Sequence, residues 1–162
     1  MTAADPQPLL VDTHAHLDQE EFDADRAEAI ARAHAAGVRQ IVAVGCTADS
    51  SRAVLKLATE HLGVFAAVGV HPHEAKDFDP AREGGAHEAL ERERNVVAIG
   101  EVGLDFHYDN SPRDVQMEVF RKQLQAAAEC DLPVIIHTRE AESETIAILT
   151  NNLPARRGVF HC

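Results

Sequence analysis

Basic residues are scarce in this chain: 15 Lys and Arg stand against 27 Asp and Glu in 162 residues, for a net charge of −12 with histidine neutral. That balance argues against recognition of nucleic acid through a broad basic surface. It leaves phosphate substrates open, because bound cations can supply positive charge locally. Cysteine is scarce as well. Cys46, Cys130 and Cys162 are odd in number, widely spaced and form no C-x-x-C pair, which argues against a disulfide framework and for a reducing cytoplasm. No apolar run approaches membrane-spanning length. Residues 1–8 are polar and contain proline, without the basic start and apolar centre of a signal peptide. Linkers, low-complexity tracts and a second composition zone are also missing, and residues 82–85 are the only loosely punctuated stretch. A single domain over 1–162 is expected.

What the chain does have is apolar content, 45% of residues, arranged in two alternating patterns. Short runs rich in β-branched residues recur at 9–13, 38–45, 64–70, 96–101, 133–137 and 158–161. Between them lie segments with helical character. Residues 20–36 are Ala-rich and stop at Gly37, and 49–61 stop before Gly63, both good helix-ending glycines. Asp79-Pro80 and Ser111-Pro112 each suggest an N-cap followed by proline at the first helical position, leading into helices to Arg94 and Cys130. In the second of these, Met117, Phe120, Leu124 and Ala127 follow 3–4 spacing and predict one buried stripe. A fifth helix is expected over 142–152. Strands apolar on both faces, alternating with helices, predict an α/β fold with a parallel sheet covered by helices.

The chemistry collects at the strand ends. The first run closes in Asp12-Thr13-His14-Ala15-His16, and side chains at i and i+2 of a strand share a face. The third closes in His71-Pro72-His73, the fourth in Glu101 and then Asp105, the fifth in His137-Thr138-Arg139, the sixth in His161-Cys162. Each piece has an ordinary reading when taken alone. Exposed strand-end histidines need no ligand, His137 suits a satisfied core histidine, Glu101 suits a solvated loop, and Arg139 suits a helix start. Unrelated accidents would not all choose the carboxyl ends of the strands, which is where sites form in parallel α/β folds. Paired imidazoles and a carboxylate suit a divalent transition metal.

The strings DTHAHLD, GVHPH, GEVGLDFHYD, PVIIHTREA and GVFHC resemble, in this order, the successive motifs of the TatD family of metal-dependent hydrolases, which includes deoxyribonucleases. The resemblance runs from about Leu10 to Cys162. It implies a partial TIM (β/α)8 barrel of the metal-dependent hydrolase type and two divalent metal ions, with Mg, Mn and Zn all suitable. His14 and His16 would hold one metal, Glu101 would bridge both as the catalytic ligand, and His137 and His161 would hold the second. His71 and His73 would lie beside the substrate phosphate, with Asp105 and Arg139 facing the substrate or supporting the ligands. Cys162 would be a neighbour rather than a ligand. The implied reaction is hydrolysis of DNA or another phosphodiester, two cations lowering the pKa of a shared water and clamping phosphoryl oxygens.

Length departs from this pattern. A (β/α)8 barrel needs about 250 residues, and the chain supplies six expected strands. The last two βα units are therefore expected to be missing, and with them an aspartate that the family places near the end of strand eight. The first and last strands would then be open edges, inviting self-association. Two other readings stay open: an amidohydrolase-like enzyme acting on another ester or amide, and a non-catalytic metal-binding fragment. The first of these commonly has lysine after strand four, where this chain has Glu101.

Overall fold

A computed structural model of the chain describes residues 9–78 and 93–161. Six strands form one sheet in the order β1 to β6, and every neighbouring pair is parallel. They are β1 (Leu10–Ala15), β2 (Val38–Val44), β3 (Val64–Val68), β4 (Val96–Asp105), β5 (Val134–Arg139) and β6 (Gly158–His161). The connecting helices are α1 (Arg26–Ala35), α2 (Ala48–Glu60), α3 (Arg113–Glu129) and α4 (Glu142–Asn152). The sheet curls into a partial barrel, so the carboxyl ends of all six strands converge on one rim.

The helices form where the sequence supplies a cap and a stripe. Thr47 accepts a hydrogen bond from the Ser50 N–H at the start of α2, which buries Val54, Leu57 and Ala58. Along α3 the expected stripe is fully buried at Phe120, Leu124 and Ala127, with Met117 packed at its edge. These side chains meet Ile99, Val102, Leu104 and Ile136 of the central strands in one core. Among the described residues, no helix is long and apolar enough to cross a membrane.

Several expected boundaries shift for physical reasons. The helix expected from residue 20 begins at Arg26, after a 3-10 turn over Glu20–Phe22. The Arg26 guanidinium donates to the Leu17 and Gln19 carbonyls, and so pins this stretch as a loop. Pro112 takes the N-cap position of α3 rather than the first helical one. Ser111 is buried and serves elsewhere: its hydroxyl donates to the His73 carbonyl and accepts from the Lys76 N–H. β4 runs four residues past its expected end at Glu101, to Asp105. Val102 and Leu104 are fully buried, which holds the chain extended there. The helix expected over 80–94 lies outside the described residues up to residue 92, as does Cys162; its expected end at Arg94 is not helical, since residues 93–95 turn directly into β4. At the two ends of the sheet apolar side chains face solvent, Leu10 and Val11 on β1 and Val159 and Phe160 on β6, as expected for open edges.

Candidate active site

Glu101 is the centre of the rim. It stands inside β4, is 3% exposed, and turns its two carboxylate oxygens toward different partners. Oε2 lies 3.3 Å from His14 Nε2 and 3.9 Å from His16 Nε2. Oε1 lies 3.0 Å from His137 Nδ1. Burial opposes ionisation of this carboxyl, but the hydrogen bonds from His137 and His14 outweigh it and hold the pKa well below the usual range. A buried carboxylate between two sets of imidazoles has the chemistry of a bridging ligand.

The β1 pair converges as the strand pleat requires. His14 Nε2 and His16 Nε2 are 3.2 Å apart. Two unprotonated ring nitrogens at that distance repel, so they need a shared proton or a cation between them. The His16 Nδ1–H donates to the Val44 carbonyl, 3.1 Å away, which leaves Nε2 as the free lone pair. His14 Nδ1 is buried with no partner among the described residues. The Cys46 thiol lies 3.7 Å from His16 Nδ1. Burial first, and the Glu101 charge second, push its pKa up to about 12, so it stays a neutral neighbour.

Asp105 organises the other half. Its Oδ2 accepts from His73 Nε2 at 2.9 Å and from His137 Nε2 at 3.1 Å. Its Oδ1 accepts the backbone N–H groups of His107 and Tyr108. Burial opposes its ionisation, and the Tyr108 N–H with the two histidines wins, holding the pKa down at about 2. His137 thus lies between two carboxylates, a geometry that fixes the ring and raises its basicity. Its burial acts the other way, and the net pKa shift is upward.

His71 differs from its neighbours. Its Nδ1 accepts the His73 N–H at 3.2 Å, so the neutral ring carries its proton on Nε2 and presents a donor. Burial pushes its pKa down to about 4 from an ordinary value of 6.5. The sign of the consequence follows from proton counting. Between those two values the unfolded chain binds more protons than the folded one, so stability falls as pH drops through that window. The full effect is roughly 3 kcal/mol at most. Urea midpoints of the metal-free protein near neutral pH and near pH 4 should show a smaller acid loss in His71→Asn than in the parent. Equal losses would exclude His71 as a source.

Every expected site residue except Arg139 therefore sits in one cluster, and Arg139 stands at its lip. Two groups of donors have ligand atoms within 4.8 Å of one another: His14, Glu101 and His161, and His71, Glu101 and His137. The structure thus places His161 beside His14, the two rings stacked at 3.6 Å between centroids, whereas the resemblance pairs His161 with His137. The adjoining cleft of about 250 Å³ is also lined by Gln19, Cys46 and Glu74. Cys46 follows the second apolar run directly, a strand-end position like the others, whereas no periodicity or motif spacing singles out Gln19 and Glu74.

The oxygen and nitrogen donors, the repelling imidazole pair and the unpartnered His14 nitrogen all fit divalent cations. A parallel (β/α)-barrel architecture with a histidine–carboxylate cluster on the carboxyl rim of its strands is the class that fold and site define. Within that class the chain belongs to the TatD related DNase family, whose pattern matches residues 11–162.

Particular relatives agree. The chain is 42% identical over 160 residues to the uncharacterized metal-dependent hydrolase YabD of Bacillus subtilis, covering 95% of this chain and 60% of that one. It is 37% identical over 154 residues to the 3'-5' ssDNA/RNA exonuclease TatD of Salmonella typhimurium, covering 94% and 59%. The crystal structure of the TatD homolog YJJV from Escherichia coli superposes with a TM-score of 0.86 at 34% identity, over 94% of this chain and 59% of that one. A TatD family hydrolase from Entamoeba histolytica, 18% identical with a TM-score of 0.75 over 88% of this chain and 54% of that one, shares the fold. The chain spans about 60% of the length of the curated relatives it matches.

Proposed function

We propose that this protein is a metal-dependent phosphodiesterase of the deoxyribonuclease type. The observation that carries the reading is Glu101, buried between two imidazole sets with one carboxylate oxygen toward each. In this reading His14, His16 and Glu101 would hold one divalent cation. Glu101 and His137 would hold a second, with His161 close to Glu101 from β6. When bound, such cations supply Lewis acidity: they acidify water and neutralise charge on the phosphoryl group.

The remaining roles belong to the chain's own groups. Neutral His71 donates its Nε2–H to a phosphoryl oxygen, a hydrogen bond strengthened by the low-polarity surroundings. Asp105 fixes the rings of His137 and His73, so that neither has to reorganise when substrate arrives. His73 faces the substrate beside His71. The thiols, few and widely spaced, support a cytoplasmic location.

The decisive test is hydrolysis of single-stranded DNA by the purified chain with Mg²⁺ or Mn²⁺ added. EDTA is expected to reduce the rate to background, and restoring the cation to recover it. Stoichiometric cation binding without any turnover would overturn the hydrolase reading and leave a metal-binding protein.

A further inference from the structure

We propose that Tyr108 and Arg139 form a stacking platform that takes an unpaired nucleobase of single-stranded nucleic acid at the lip of the site. This inference rests on the phosphodiesterase reading above and assigns the contact that selects single strands. The chain has one tyrosine and no tryptophan. That tyrosine is not in the core: it is 55% exposed, in the loop directly after β4.

Its surroundings are those of a site. The Arg139 guanidinium carbon lies 4.8 Å from the centroid of the Tyr108 ring. Among the described residues Arg139 has no carboxylate partner, so its guanidinium is held over the ring rather than in an ion pair. The His73 ring meets Tyr108 edge to face, with centroids 5.6 Å apart. His73 in turn holds Asp105, so the exposed ring is in contact with the substrate-facing half of the cluster.

The platform is also rigid before any ligand arrives. The Tyr108 N–H donates to Asp105 at 2.9 Å, the Phe106 N–H donates to the Arg139 carbonyl at 2.9 Å, and the His107 ring pairs with Glu140 at 2.7 Å. The loop is thereby tied once to the end of β4 and twice to the end of β5, and little ordering entropy is left to lose on binding.

The charge balance favours such a contact. A chain this acidic repels a polyanion at long range, so affinity must come from local contacts. Stacking of a base on an aromatic ring, with a guanidinium alongside, is sequence-tolerant and needs no basic surface. A paired base has both faces occupied in its helix, so the platform admits an unpaired one.

Tyr108 as sole tyrosine supplies its own probe. The 162-residue chain in EDTA, titrated with short oligothymidine, should show saturable quenching of tyrosine emission. An abasic oligonucleotide of the same length and a blunt duplex should leave the emission nearly unchanged. By anisotropy of a labelled strand, Tyr108→Ala should bind about 5- to 100-fold more weakly, while Tyr108→Phe stays within about twofold of the parent. Unquenched emission, equal quenching by the abasic strand, or parental affinity in Tyr108→Ala would each overturn the platform. Mn²⁺-dependent turnover of bis(p-nitrophenyl) phosphate on the same preparation separates the two readings. Turnover with an unresponsive tyrosine overturns the platform alone, and a responsive tyrosine without turnover supports the platform while overturning the hydrolase.

Discussion

Glu101→Gln is expected to lower metal-dependent phosphodiester hydrolysis about 10³-fold or more while leaving the fold in place. The two halves of that expectation have separate causes. Glutamine keeps the shape and one acceptor oxygen, so the hydrogen bond to either His14 or His137 survives. What it loses is the negative charge and the second carboxylate oxygen. That charge persists at 3% exposure because hydrogen bonds from His137 and His14 hold the Glu101 pKa down against burial. A neutral amide holds a cation far more weakly than a carboxylate, and loss of several kcal/mol of charge stabilisation corresponds to at least three decades of rate. Rates with saturating Mn²⁺, cation affinity by calorimetry and urea midpoints should be measured on the same preparations. Weakened cation binding with an unchanged midpoint would place the defect in the site. A variant that retained both cation affinity and rate would remove Glu101 from its bridging role.

The sequence made the fold class and most of the cluster legible because both leave periodic signals. Alternating apolar runs and helical stripes follow from burying a parallel sheet between helices. A histidine pair at i and i+2 follows from the strand pleat. His14, His16, Glu101 and His137 stand together as their strand-end positions suggested. Less legible were features set by tertiary contact. Asp105 could be placed beside the substrate or behind the ligands, but its partners His73 and His137 could not be read from the sequence, because those bonds span 32 residues. The partner of His161 was assigned by resemblance, while the structure stacks it on His14. Cys46 comes to lie beside His16 through the register of β1 with β2, which no local pattern encodes. The start of α1 shifted because Arg26 reaches back to carbonyls seven and nine residues earlier, and helical propensity is a weak prior against such contacts.

Gly103→Ala should be the most damaging glycine-to-alanine substitution among the described residues, for reasons that lie in the approach of β4 to β5. Gly103 pairs with His137 in the parallel ladder and adopts φ +143°, a region that side chains rarely tolerate. A Cβ there would lie 2.0 Å from the His137 carbonyl oxygen, a contact with backbone that no rotamer change relieves. Either β5 moves outward or β4 twists, and both separate His137 from Glu101 and Asp105, now 3.0 and 3.1 Å away. Backbone strain and lost ladder contacts together should cost about 3–5 kcal/mol. Gly63→Ala is the matched control. Gly63 also has positive φ, at +83°, and its Cβ would meet the Arg39 carbonyl at 2.7 Å, but it lies at the opposite end of the sheet from the cluster. Both variants should unfold at lower urea than the parent. Only Gly103→Ala should also lose cation affinity under conditions where circular dichroism shows it folded, because only there does the strain act on a residue that holds the site. A Gly103→Ala protein with parental midpoint and parental cation affinity would mean that β4 and β5 can separate without cost, and the rigid placement of His137 argued above would be wrong.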